Sequence, residues 1–250
     1  MTDNKLKKII FASLMVAIGI VLSNFVSISY PPNSTIIRFG IGYLPLIIVS
    51  IILGPKIGFA AAIIQDVLGY FVYMLIFGFP SGPFFPGFTL NSILYGVLPG
   101  LIYHLKVWKG NFFIYFNIFL LTTLLALGIW SLIEVDYIIS IIEARLGEDM
   151  IFSPFFIYFM LGLGLAGVLS GFVFIYLKRK EDDQSHRIIF SVIILQLIVT
   201  LVLTPLWVTI LYKIPFLPQL PLRIIKTPLE VFIYSVLLVR LIKIFEHYKI

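Results

Sequence analysis

The chain contains no cysteine, which excludes disulfide bonds, thiolate metal sites and cysteine nucleophiles. Charge is also scarce: Asp, Glu, Lys and Arg make up 12% of the 250 residues, against about 25% in soluble domains. The sequence has no Walker A motif, nucleophile elbow or paired-histidine zinc motif. We therefore do not expect this chain to hydrolyse ATP, and it lacks the sequence marks of those enzyme classes.

The chain is unusually rich in apolar residues. Hydrophobic residues form 60% of the chain, and 16% of all residues are aromatic. One soluble core of this size cannot hide so much apolar surface, so we predict an integral membrane protein. This prediction argues against a soluble enzyme, a secreted mini-protein or a nucleic-acid-binding domain. The first apolar run is too long for a signal peptide and has no small-residue cleavage site after it, so we expect it to be retained.

A membrane-spanning helix needs about 20 mostly apolar residues. Runs that approach or meet this length lie at about 8–29, 39–54, 57–77, 89–105, 112–133, 154–177, 188–211 and 222–245. The predicted fold is therefore an all-α polytopic membrane protein with eight transmembrane helices, in one domain that covers residues 1–250. Thirteen of the 18 Lys and Arg residues fall on the side that holds both termini. The positive-inside rule makes that side cytoplasmic.

Four cations depart from this charge pattern, because they fall near the outer ends of the predicted helices. They are Arg38, Lys213, Arg223 and Lys226. One interpretation is interfacial anchoring, in which long side chains reach the head-group region. The other is an electropositive mouth for an organic anion, since Arg binds carboxylates with two parallel hydrogen bonds. The sequence leaves both interpretations open.

Two carboxylates fall inside predicted spans, where an ionisable group is costly and is usually functional. Asp66 can accept hydrogen bonds from a heterocycle, orient an arginine or carry a proton. Glu230 follows Lys226 by four residues on one helix, so the two can also form a simple structural ion pair.

The segment from Pro80 to Thr89 is rich in proline, glycine and phenylalanine and cannot be regular helix throughout. It is either a stiff connecting loop or a frame that presents aromatic rings to a flat ligand. Those rings belong to Phe84, Phe85 and Phe88. Thr89 and Asn91 open the next helix, and an asparagine can donate and accept hydrogen bonds at once. Trp207 is either a membrane-interface anchor or a ring-covering residue.

Small residues recur at helical spacing in two predicted spans. Ser13 and Ala17 in the first span permit close helix packing, within this chain or against a partner. Gly167 and Gly171 repeat this spacing in the sixth span.

Six segments in order resemble the substrate-binding S component of energy-coupling factor (ECF) transporters, in its folate-type branch. They are Arg38–Pro45, Gly54–Gly58, Asp66–Tyr70, Pro83–Asn91, Thr204–Tyr212 and Leu220–Lys226. The resemblance covers about 1–106 and 187–250, and it implies a six-helix core. By this resemblance, we expect residues 107–186, with an acidic loop at 134–149, to form an inserted transmembrane hairpin that the family pattern lacks.

The resemblance implies a protein of the prokaryotic plasma membrane that binds a vitamin from outside and catalyses no reaction. It implies partners as well: a transmembrane coupling subunit, which would meet Ser13 and Ala17, and two cytoplasmic ATPases that drive release inside by a toppling motion. The substrate residues it implies for folate are Arg38, Asp66, Tyr70, Phe84, Phe85, Phe88, Thr89, Asn91, Trp207, Arg223 and Lys226. No cofactor or metal is expected. The alternatives are another water-soluble vitamin, a self-contained proton-coupled transporter that uses Asp66, and, ranked last, a membrane enzyme acting on lipids.

Overall fold

The computed structural model describes residues 2–30, 37–78, 83–104, 112–137, 140, 154–178 and 183–247. Within these residues the fold is helical, with one pair of short strands. The first half of the chain contains α1 (Thr2–Val21), a π-helical turn (Leu22–Val26), the paired strands β1 (Ile28–Tyr30) and β2 (Ile37–Phe39), then α2 (Leu44–Leu53), α3 (Pro55–Phe77) and α4 (Pro86–His104). The second half contains α5 (Phe112–Ile133), α6 (Pro154–Lys178), α7 (Asp183–Leu195), a π-helical segment (Gln196–Leu203), α8 (Thr204–Tyr212) and α9 (Phe216–His247).

Glycine and proline end several of these helices. Gly54 has a φ of 93° between α2 and α3, a conformation that residues with a Cβ rarely adopt, and Pro55 occupies the first position of α3. Gly78 ends α3 with a φ of 84°. Lys213 ends α8 in the left-handed region at a φ of 60°, and its N–H donates to the Thr209 carbonyl at 3.1 Å.

The helical membrane fold predicted from the sequence is confirmed. In the described part of the chain, four helices are long and apolar enough to cross a membrane: Lys5–Val26, Pro55–Phe77, Phe112–Trp130 and Gln184–Tyr212. Leu44–Leu53 and Leu161–Tyr176 are shorter apolar helices. The count of eight spans stays a prediction. The second run differs from its predicted bounds of 39–54, because β2 takes residue 39 and α2 begins only at Leu44.

The chain divides into two compact units. The first contains Met1–Ile28, Arg38–Trp108 and Val236–Ile250, and thus α1 to α4 with the last part of α9. In this unit α2, α3 and α4 meet at glycines: a Cβ on Gly58 would collide with the Gly96 carbonyl oxygen. Ser50 Oγ accepts the Gly100 N–H at 2.9 Å, and His104 Nε2 lies 2.9 Å from the Ile51 carbonyl oxygen. Residues 44–51 of α2 are buried throughout.

The second unit contains Ser29–Ile37 and Lys109–Ser235, and thus α5 to α8 with the first part of α9. The beginning of α5 packs on α7 through phenylalanines: the rings of Phe113 and Phe190 are 5.3 Å apart. Asn117 Nδ2 donates to the His186 carbonyl at 2.9 Å. Gly167 of α6 lies against α9, where an added Cβ would come within 3.2 Å of the Pro228 carbonyl oxygen. Within this unit, α5 therefore packs on α7, and α6 packs on α9.

Candidate functional site

The first polar site is the Asp66 cluster, which consists of Asp66, Thr89 and Ser92 in the first unit. Asp66 lies in the middle of α3, and its Oδ2 accepts a hydrogen bond from Thr89 Oγ1 of α4 at 2.6 Å. Its Oδ1 accepts from Ser92 Oγ at 3.1 Å. Thr89 and Ser92 are three residues apart, so both hydroxyls lie on the same face of α4. Two carboxylate oxygens offer about four acceptor positions, so Asp66 keeps capacity for donors of a ligand.

Aromatic rings accompany this cluster. Tyr70 follows Asp66 by one helical turn, and its ring meets the edge of Phe84 at 5.4 Å. Phe85 and Phe88 form a second pair at 5.9 Å. The Phe84 side chain is 41% exposed, which leaves ring surface for contact. The Pro80–Gly82 part of the predicted aromatic frame lies outside the described residues.

The side-chain amides of Gln65 and Asn24 connect the segments around the Asp66 cluster. Gln65 Nε2 donates to the Gly42 carbonyl at 3.0 Å and so ties the segment before α2 to the middle of α3. Asn24 Nδ2 of the π-helical turn donates to the Gly69 carbonyl at 3.2 Å. Asn91, also proposed from the sequence, is buried with 2% of its surface exposed. Sequence reasoning misses Ser92 as a member of the Asp66 cluster, although its three-residue spacing from Thr89 is a usable signal.

The second polar site is the Arg223 cluster, which consists of Gln219, Arg223, Lys226 and Glu230 on α9 in the second unit. These positions recur every three or four residues and therefore share one face of the helix. Lys226 Nζ and Glu230 Oε1 form an ion pair at 3.0 Å. Arg223 Nη2 donates to Gln219 Oε1 at 3.4 Å. Arg223 is 3% exposed, Lys226 5% and Glu230 8%, so the cluster is inside the protein.

This arrangement bears on two interpretations from the sequence: the simple ion pair of Lys226 with Glu230, and interfacial anchoring of the cations. The ion pair of Lys226 with Glu230 is formed. Neither Arg223 nor Lys226 is an exposed interfacial anchor, because both are buried. Two cationic side chains against one carboxylate leave a formal charge of +1, and a buried excess charge favours binding of an anion.

The remaining candidates lie elsewhere. Trp207 is half-buried in α8, and Lys213 is exposed at the end of that helix. Arg38 belongs to β2, but its side chain is outside the described residues, as is most of the acidic loop 134–149. Ser13 and Ala17 both lie on an exposed face of α1. No group of three His, Asp or Glu side chains suited to a metal ion occurs among the described residues.

Comparison with known proteins agrees with the resemblance. The chain matches the family described as "ECF transporter, substrate-specific component" over residues 7–135. This match includes the Asp66 cluster, and it extends through α5, which the resemblance assigned to the inserted hairpin. The chain is also 32% identical over 102 residues to the protein named "Folate transporter FolT" of Clostridium novyi (strain NT). That match covers 41% of this chain and 54% of the relative, so the chain spans about half the length of the curated relative.

The family match covers more than half of the chain. It agrees with the helical fold and with the apolar spans. The family couples its substrate-binding subunits to an ECF module and comprises transport proteins, so the interpretation as a lipid-modifying enzyme is wrong. The chain belongs to the substrate-specific components of ECF transporters, and it is a multi-pass membrane protein.

Proposed function

We propose that this chain is a vitamin-binding S component for folate, which captures its substrate at the outer face of the membrane. The Asp66 cluster is the main support: a carboxylate in the middle of α3, already held by two hydroxyls, with aromatic rings one helical turn away. A pterin ring is flat and carries several N–H donors, which suit a carboxylate acceptor and stacking against phenylalanine. The name of the partial relative from Clostridium novyi is consistent with this substrate.

The charge of the second site supports an anionic substrate. The Arg223 cluster carries two cations and one carboxylate inside the protein, and an arginine fork matches the geometry of a carboxylate. Folate ends in a glutamate with two carboxylates. The sequence resemblance assigns Arg38, Arg223 and Lys226 to this end of the substrate, and Phe84, Phe85, Phe88 and Trp207 to its rings.

The orientation and the partners are also part of this proposal. Thirteen of 18 cations on one side favour cytoplasmic termini. The exposed small residues Ser13 and Ala17 allow another helix to approach α1 closely, which suits the coupling subunit of the module. Two ATPases would supply the energy.

Direct binding tests the substrate. The chain, purified in detergent, is titrated with folate, 5-formyl-folate, riboflavin, biotin and pantothenate, and binding is followed by tryptophan fluorescence. Saturable binding of folates alone would support the proposal. Binding of a different vitamin would keep the transporter class and replace the substrate, and binding of none would remove the substrate assignment.

A second candidate function rests on Asp66 itself, because a carboxylate in the middle of a membrane span is often a proton carrier. In that case the chain alone, in liposomes, would accumulate substrate when a pH gradient is imposed, and Asp66→Asn would abolish the accumulation. Our proposal predicts no accumulation without the coupling subunit and the ATPases.

A further inference from the structure

Gln219 connects the Arg223 cluster to the turn between α8 and α9. Its side chain is fully buried, with 0% exposure. Nε2 donates to the Pro215 carbonyl at 3.0 Å and to the Ile214 carbonyl at 3.1 Å, and lies 3.3 Å from Thr209 Oγ1. One amide thus binds the last turn of α8, the connecting residues and the first turns of α9.

These contacts leave the amide only one orientation. If the amide were turned over, its oxygen would face two carbonyl oxygens, and both hydrogen bonds from Nε2 would be lost. Oε1 must therefore point away from the turn, and there it accepts the hydrogen bond of Arg223 Nη2 at 3.4 Å. The backbone of Arg223 is held as well, because Thr227 Oγ1 donates to its carbonyl at 2.7 Å.

The chemistry of an amide matters at this position. A carboxylate would hold the guanidinium more strongly, but it would cancel the positive charge that attracts an anion. An amide oxygen orients the guanidinium and adds no formal charge, and it engages one of five N–H donors. Gln219 therefore fixes Arg223 while the cluster keeps its charge of +1.

We propose that Gln219 is a positioning residue that makes this site selective for carboxylate-bearing substrates, by holding Arg223 toward the substrate anion. This inference rests on the proposed function, and it adds the part of the site that sets the preference for an anion over a neutral molecule of equal shape.

The test uses folate and its dimethyl ester, which has the same rings and no free carboxylate. Gln219→Met keeps the length of the side chain and removes its hydrogen bonds. We expect it to weaken folate binding about 10-fold or more, the effect of one charge-assisted contact, and to change ester binding less than about 3-fold. Gln219→Glu is the second variant, and it should weaken folate binding further and also spare the ester, because it places a negative charge beside Arg223.

Gln196→Met is the matched control, because Gln196 is another buried glutamine of the same unit and binds Thr200. It should not change the ratio of folate to ester affinity. An equal loss for folate and ester in both Gln219 variants would overturn the inference and show a merely structural role, as would unchanged folate affinity. Failure of the unaltered protein to bind any anionic vitamin would overturn the proposed function and this inference with it.

Discussion

The buried ion pair of Lys226 and Glu230 makes a prediction about stability. The two atoms Nζ and Oε1 are 3.0 Å apart, and both residues are at least nine-tenths buried. Lys226→Met removes the partner that binds the buried Glu230 carboxylate at 3.0 Å, and breaking a buried ion pair costs about 3–5 kcal/mol of stability. We expect a large fall in the thermal unfolding midpoint in detergent. The double variant Lys226→Met/Glu230→Met should recover most of it, and a double variant no more stable than the single one would contradict this account.

Arg223 makes a prediction about affinity. Its guanidinium is buried and oriented, so Arg223→Met should weaken folate binding about 10- to 150-fold, which corresponds to about 1.5–3 kcal/mol. Isothermal titration calorimetry of the purified variant measures this loss. Lys213→Met is the control, because Lys213 is exposed, and it should bind folate like the unaltered protein. Equal affinity in the two variants would remove Arg223 from the site.

Removal of the Thr89 hydroxyl should cause a smaller loss of folate affinity, and a serine at this position should restore the affinity. Thr89 Oγ1 donates to Asp66 Oδ2 at 2.6 Å. Thr89→Val removes the donor at nearly constant shape, so Asp66 becomes less well oriented, and folate affinity should fall severalfold, about the net value of one hydrogen bond. Thr89→Ser should restore it, as measured by the same titration. A Thr89→Ser variant as weak as Thr89→Val would point to lost packing of the methyl group.

At the residue scale, sequence reasoning finds groups that are out of place in lipid and misses those that are ordinary in any protein. Asp66, Arg223 and Lys226 are conspicuous because a charge within a span is rare. Gln219 and Ser92 carry no charge, and their roles depend on which helix packs beside them. The burial of Arg223 could not be predicted either, because position along the chain does not tell an interface from an interior.

At the element scale, close helix packing in the first unit gives a prediction about glycine. A Cβ on Gly96 would collide with the Gly58 carbonyl oxygen and would come within 2.8 Å of Ala62 Cβ, so α3 and α4 would have to separate. Gly96→Ala should therefore lower the thermal unfolding midpoint, since backbone cannot yield as a side chain does. Gly162→Ala in α6 meets nothing within 4 Å and should leave the midpoint unchanged or slightly higher. Equal midpoints in the two variants would contradict this packing.

The elements themselves follow from sequence to different degrees. Hydropathy predicts the helices from α3 to α6 with bounds close to those observed, because their ends carry glycine, proline or charge. It misses the π-helical segment Gln196–Leu203, which no local pattern marks. It also begins the last helix at 222 instead of Phe216, and the observed helix contains Pro218 in its first turn. A proline in the first turn is tolerated, since the N–H that it lacks would have no intrahelical partner.

At the scale of the whole molecule, the orientation in the membrane can be tested cleanly because the chain has no cysteine. Lys56 and Lys213 are both exposed and lie on opposite predicted sides. In intact cells, a membrane-impermeant maleimide should label Lys213→Cys, and Lys56→Cys should react only after the cells are opened. The reverse pattern would place the termini outside and would invalidate the orientation derived from the cations.

The most direct test of the central claim is the affinity of the purified chain for folate, measured by calorimetry on the unaltered protein and on Asp66→Asn. Asn has the shape of Asp but lacks its charge, so a charge-assisted contact to the substrate would be lost while the fold is kept. We predict saturable binding of folate and an affinity about 10- to 150-fold weaker in Asp66→Asn. No folate binding by the unaltered protein, or equal affinity in both proteins, would contradict the account.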